Sequence, residues 1–145
     1  MFRIVRWMAI PVVLVVAVAA YGAMMEGPAD RELATATTHA KLAATQSTLA
    51  ATEQHLHHVL NCIEGKDGKN YLPSSGDPCQ GMGKGLLADL QGAGMAGGHA
   101  LPYVEIAQSV ATWGIAQGMR KDFARAKAAA QLTQTALERA TANFK

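Results

Sequence analysis

Nineteen consecutive positions, Trp7 to Met25 (WMAIPVVLVVAVAAYGAMM), carry no charge, and this run decides which residues are left to build a core. A bilayer-spanning helix needs about 20 apolar residues, so the run is long enough to serve as an anchor. Arg3 and Arg6 precede it; Glu26 and Asp30 follow it. The positive-inside rule then predicts a cytoplasmic stub over 1–6 and a transmembrane anchor over 7–25. The chain is expected in a bacterial inner membrane, single-pass, with its C-terminus in the periplasm. A cleavable signal peptide is the competing reading, with Met8 to Val18 as its apolar region and Ala17-x-Ala19 or Ala20-x-Gly22 as its cleavage site. Apolar character running on to Met25 favours the uncleaved form.

The remainder is poor in large side chains. Twenty-eight residues of the whole chain are Ala, which builds helix cheaply but contributes little buried area. Among the 120 residues after Met25, Leu, Ile, Val and Phe together supply 20. Disorder at such composition requires high net charge, and here 11 basic residues face 11 acidic ones. The chain's formal charge of +2 therefore resides in Arg3 and Arg6. No basic surface is left for a nucleic acid. The expected fold is all-α: an elongated helical hairpin or coiled-coil-like ectodomain, which needs only a narrow apolar seam.

Gly27-Pro28 breaks the chain, and a heptad repeat follows within 26–63: KLAATQS, TLAATEQ, HLHHVLN. It places Leu42, Leu49, Leu56 and Ile63 seven apart, with Thr45, Thr52 and Val59 three further on. Three heptads with Thr in the seam need a partner helix. Residues 102–145 offer one. Pro102 suits the first turn of a new helix. Tyr103, Ile106, Val110 and Trp113 form a first stripe, and the phase slips near Gly114–Gly118. Met119, Phe123, Ala126, Ala130, Thr133, Leu137, Ala140 and Phe144 form a second. Small residues dominate it, so a facing helix would approach closely. The seams fit intramolecular packing and self-association equally. Between them, 64–101 holds most of the glycines together with Pro73 and Pro78. It is expected to be loop, with a short helix over 86–91.

Cys62 and Cys79 are 17 positions apart and, in an exported chain, are expected to pair as a structural disulfide, with pairing between chains as the alternative. Such a bridge would staple the Gly-rich loop to a helix end. His55 and His58 share one helix face, with His57 between them and Glu53 within reach of His57. A transition metal could use two such imidazoles, but a third or fourth ligand is required, and the spacing fixes none. The expected state of this face is solvated, with no metal and no cofactor. Gly81-Met-Gly-Lys-Gly85 lacks the spacing and the Ser/Thr of a phosphate loop. No nucleophile elbow, paired-carboxylate motif or H-E-x-x-H is present, so an enzyme is not expected.

The order of these parts resembles the bacteriophage inner-membrane spanins, the Rz-like lysis proteins. The resemblance is carried by Arg3 and Arg6, the 7–25 span, the Leu42/Leu49/Leu56 heptads, Cys62 and Cys79, Pro102 and the Met119–Phe144 seam. It implies a non-enzymatic lysis subunit whose C-terminal end meets an outer-membrane lipoprotein. A 43-residue helix from Tyr103 would reach about 65 Å. More broadly, an accessory or scaffold subunit of an envelope or virion membrane assembly fits the same layout. A processed periplasmic metal-binding protein using His55 and His58 is the alternative from another class. The partners expected are the lipid bilayer through 7–25, and either a second copy or another membrane or periplasmic protein.

Overall fold

The computed structural model describes residues 26–145. It is all-α: α1 Pro28–Thr45, α2 Leu49–Glu64, a 3₁₀ turn Pro73–Ser75, α3 Leu86–Gly92, α4 Gly94–Met119 and α5 Phe123–Asn143. The stub over 1–6 and the anchor over 7–25 lie outside the described residues. Among the described residues, no helix is long and apolar enough to cross a membrane. The placement as a single-pass inner-membrane protein is corrected accordingly.

The four long helices form an up-down-up-down bundle in which α1 packs on α2, α2 on α4, α4 on α5, and α5 back on α1. Short α3 closes one end against α1, α2 and α4. Alanine governs this packing. α1 buries Ala29, Leu33, Ala36, Ala40, Ala43 and Ala44 at alternating helical spacings, and α5 buries Ala126, Ala129, Ala130, Ala136, Leu137 and Ala140. Such small seams let backbones approach, and a Cβ added at Gly114 would lie 2.7 Å from Ala129 Cβ. The larger core residues Leu33, Val59, Ile63, Leu86, Leu90, Val104 and Leu137 gather around the disulfide end. Leu56 and Leu60 fill the other end with Ala43, Ala111 and Ala130.

Three expectations are corrected by this arrangement. The helix expected through 26–63 breaks at Gln46–Thr48, where Thr48 caps α2 by accepting a hydrogen bond from the Ala51 N–H at 3.3 Å. Ser and Thr favour caps over helix interiors because their hydroxyls replace missing backbone partners. The heptads therefore end up on two antiparallel helices: Leu56 and Ile63 are buried, Leu49 is half-buried, and Leu42 is 38% exposed. The helix expected from Pro102 begins at Gly94, and Pro102 sits exposed within it. The second seam does not extend the first. The chain turns back at Arg120–Asp122, where Lys121 takes φ 60° and Asp122 caps α5 through the Arg125 N–H at 3.0 Å. Ala130 and Leu137 from that seam are buried and Phe123 and Phe144 half-buried, while Met119 is 76% exposed. The elongated arrangement is thus replaced by a bundle closed within one chain.

The segment between α2 and α3 is irregular but firmly tied. Cys62 and Cys79 form a disulfide within the chain. Buried Asn61 clasps the turn beside it, donating from Nδ2 to the carbonyls of Leu72 (3.0 Å) and Gly76 (2.7 Å) and accepting the Leu72 N–H at 2.8 Å. Glu64 accepts the Asn70 N–H at 2.7 Å.

Candidate metal centre

His39 lies eight residues before Ser47 and His55 eight after it. When α1 and α2 fold antiparallel about the Gln46–Thr48 break, these two positions must face each other. His58, one turn beyond His55 on the same face, joins them. His39 Nδ1 is 3.1 Å from His55 Nδ1 and 3.2 Å from His58 Nδ1. One nitrogen from each of the three half-buried rings lies within 4.8 Å of the others. Four donors around a tetrahedral zinc at its usual Zn–N distance are about 3.3 Å apart. The two short separations match that spacing.

The far side of His58 is also built. His58 Nε2 donates to the Ser75 carbonyl at 2.6 Å, and Gln54 Nε2 donates to the same oxygen at 2.6 Å. Gln54 Nε2 also lies 3.0 Å from His58 Nε2; a carbonyl only accepts, so the shorter Ser75 bond selects the tautomer with the proton on Nε2 and a lone pair on Nδ1 toward the cluster. Metal-bound imidazoles are oriented by this kind of bond from the other ring nitrogen to a backbone carbonyl. Burial pushes the His39 ring down to about 4, with His58 and His55 adding to the shift. Burial lowers His55 as well, followed by the effect of His58. At neutral pH the His39 ring is therefore uncharged, so a cation entering the cluster need only displace a tautomeric proton from Nδ1 to Nε2 rather than strip one from an imidazolium.

The sequence points to His55 and His58, and the structure supplies the third imidazole that spacing alone did not, from the other helix. The available signal was the equal spacing of His39 and His55 about Ser47-Thr48, legible only once that pair is read as a helix cap. His57 faces elsewhere: among the described residues its buried Nδ1 has no hydrogen-bond partner, and it lies beside a groove lined by Leu60, Tyr71, Leu72 and Met119. Glu53 packs against Gly118.

The Gly81–Gly85 stretch is closed to phosphate by its own carboxylates. Glu32 Oε1 accepts the Gly85 N–H at 3.0 Å and Asp89 Oδ2 the Lys84 N–H at 2.9 Å. Glu32 is 1% exposed, and burial pushes its carboxyl up to about 7, with Asp89 and Asp77 raising it further against the Gly85 hydrogen bond. No family model matches this chain, and no curated protein or solved structure is similar to it.

Proposed function

We propose that this chain is a transition-metal-binding helical bundle, holding one Zn²⁺ or Cu²⁺ ion through Nδ1 of His39, His55 and His58. The observation that carries this reading is the convergence of three Nδ1 atoms, two of the separations being 3.1 and 3.2 Å, with the other nitrogen of His58 fixed by Ser75. Imidazole-only donor sets suit zinc, copper and nickel. Three imidazole nitrogens leave a fourth position for water or an exchangeable ligand, unlike the closed four-ligand sites that serve only structure. The function is therefore reversible capture of a metal ion.

Calorimetric titration of the full chain with zinc and with copper tests this directly. The expected result is one ion per chain, with binding lost in His39→Ala. Absence of saturable binding, or binding unchanged when all three histidines are replaced, sinks the proposal.

Contact with another protein through the helix surfaces is a second reading. It is supported by Ile106 and Trp113, seven apart on α4 and each about half exposed. The spanin-like role needs the reach of an extended helix, whereas α4 and α5 fold back on each other. That role rests on the layout of the chain alone.

A further inference from the structure

Ser75, whose carbonyl orients His58, belongs to the segment that the disulfide closes. On α2, Cys62 lies one turn beyond His58; in the loop, Cys79 lies four residues beyond Ser75. The α2 backbone from His58 to Cys62, the disulfide, residues 75–79 and the Ser75–His58 hydrogen bond thus form one closed ring. Asn61 and Gln54 of α2 also tie this turn: Asn61 holds Leu72 and Gly76 on either side of Pro73–Ser75, and Gln54 Nε2 donates to the Ser75 carbonyl at 2.6 Å. These hydrogen bonds can exchange with water, and the covalent link cannot.

We propose that the Cys62–Cys79 disulfide sets the metal affinity of the three-histidine site by keeping the Ser75 carbonyl on His58 Nε2. This rests on the reading of that site as a metal centre. Exchange with two thiols of a reductant such as glutathione breaks the S–S bond. The two reductant thiols lose their hydrogens and become a disulfide, while Cys62 and Cys79 each gain one as thiols. The turn is then free to leave His58, whose ring loses both its fixed orientation and its fixed proton. Loss of such a supporting bond lowers metal affinity about 10–100-fold. Linkage requires the reverse effect: bound metal must shift the thiol–disulfide equilibrium toward the disulfide by the same factor. That factor is about 30–60 mV in reduction potential.

Two measurements on the full chain test the proposal. In the first, zinc affinity is compared between the disulfide form and a Cys62→Ser/Cys79→Ser variant, which has no thiol to act as a new ligand. The same comparison is made in a His58→Ala background. The expected result is 10–100-fold weaker binding without the disulfide and no such difference when His58 is absent. Equal affinities, or a difference that persists in His58→Ala, overturn the proposal. In the second, which needs no altered cysteine, the wild-type chain is equilibrated in glutathione buffers with free zinc held at zero or at saturation. An unchanged disulfide equilibrium overturns the proposal even if the double variant folds poorly. Failure of the disulfide form to bind zinc at all is a separate result, and overturns the metal-centre reading itself.

Discussion

His39 and His58 belong to different helices and lie 19 residues apart, yet their Nδ1 atoms are 3.2 Å apart. Neither ring nitrogen would approach the other so closely without either a shared proton or a shared ion. In the metal-free chain a ring proton makes this contact, and it must move to the other nitrogen of its ring before a cation takes its place.

Zinc should therefore stabilise the fold by mass action, as any ligand of the native state does. At a free zinc concentration 100 times its dissociation constant, the gain is about 2.7 kcal/mol, measurable as a rise in thermal midpoint. His39→Ala should abolish the rise, His58→Ala should leave a smaller one from the weaker two-imidazole pair of His39 and His55, and His57→Ala should retain it in full, because the His57 ring stands outside the cluster. A rise that survives His39→Ala would place the ion elsewhere.

Glu32 gives the fold a pH dependence of definite sign. Its carboxyl has a pKa of about 7 in the bundle, above the ordinary value of about 4.3 for an unfolded chain. Between these values the unfolded state holds fewer protons, so this group's contribution to stability falls as pH rises and levels off above 7. Glu32→Gln should keep an acceptor for the Gly85 N–H while removing the titrating carboxyl. Relative to wild type, the variant should be near neutral at pH 4 and more stable by about 3 kcal/mol at pH 8. Urea midpoints across that range provide the check, and a difference independent of pH would refute it. The lowered histidines act in the opposite sense: protonation of the unfolded chain below its ordinary histidine pKa destabilises the bundle in acid. The comparison with Glu32→Gln cancels this shared background.

Two glycines of α4 should respond oppositely to the same change. A Cβ at Gly114 would lie 2.7 Å from Ala129 Cβ and 3.0 Å from Leu56 Cδ1. Gly114→Ala should cost about 1–3 kcal/mol, because both neighbours are held in a close helix crossing. At exposed Gly98, none of the described residues lies within 4 Å of an added Cβ, and Gly98→Ala should stabilise by about 0.4–1 kcal/mol. Equal effects at the two sites would mean that α4 and α5 do not approach as described.

The heptad leucines separate a hairpin from a continuous coiled coil. Leu56 is fully buried between the helices, whereas Leu42 is 38% exposed. Leu56→Ala should cost about 2–5 kcal/mol. Leu42→Ala should cost within about 0.5 kcal/mol, as at ordinary surface positions. A continuous seam would penalise both alike, and denaturant unfolding distinguishes the two cases.

Much of this architecture is written locally. The Gly27-Pro28 start of α1 with Asp30 accepting the Gly27 N–H at 2.9 Å, the short helix from Leu86 and the alanine seam of α5 all follow from propensity and spacing. So does the Cys62–Cys79 pair, since it contains the chain's only two cysteines. Three further features are not local. A heptad repeat reads the same whether its helix continues or folds back through Gln46-Ser47-Thr48. Folding back is selected because it buries the Ala face of α1 against α2 and α5 together, a gain no single window contains. The start of α4 at Gly94 follows the same rule, with Gly97 and Ala100 buried in the bundle before Pro102 is reached. The metal centre follows from the fold-back as well. Sequence alone determined two imidazoles on one helix face; only the antiparallel packing of α1 on α2 decided that His39 would stand opposite them, because distance across a bundle is set by burial and not by separation along the chain.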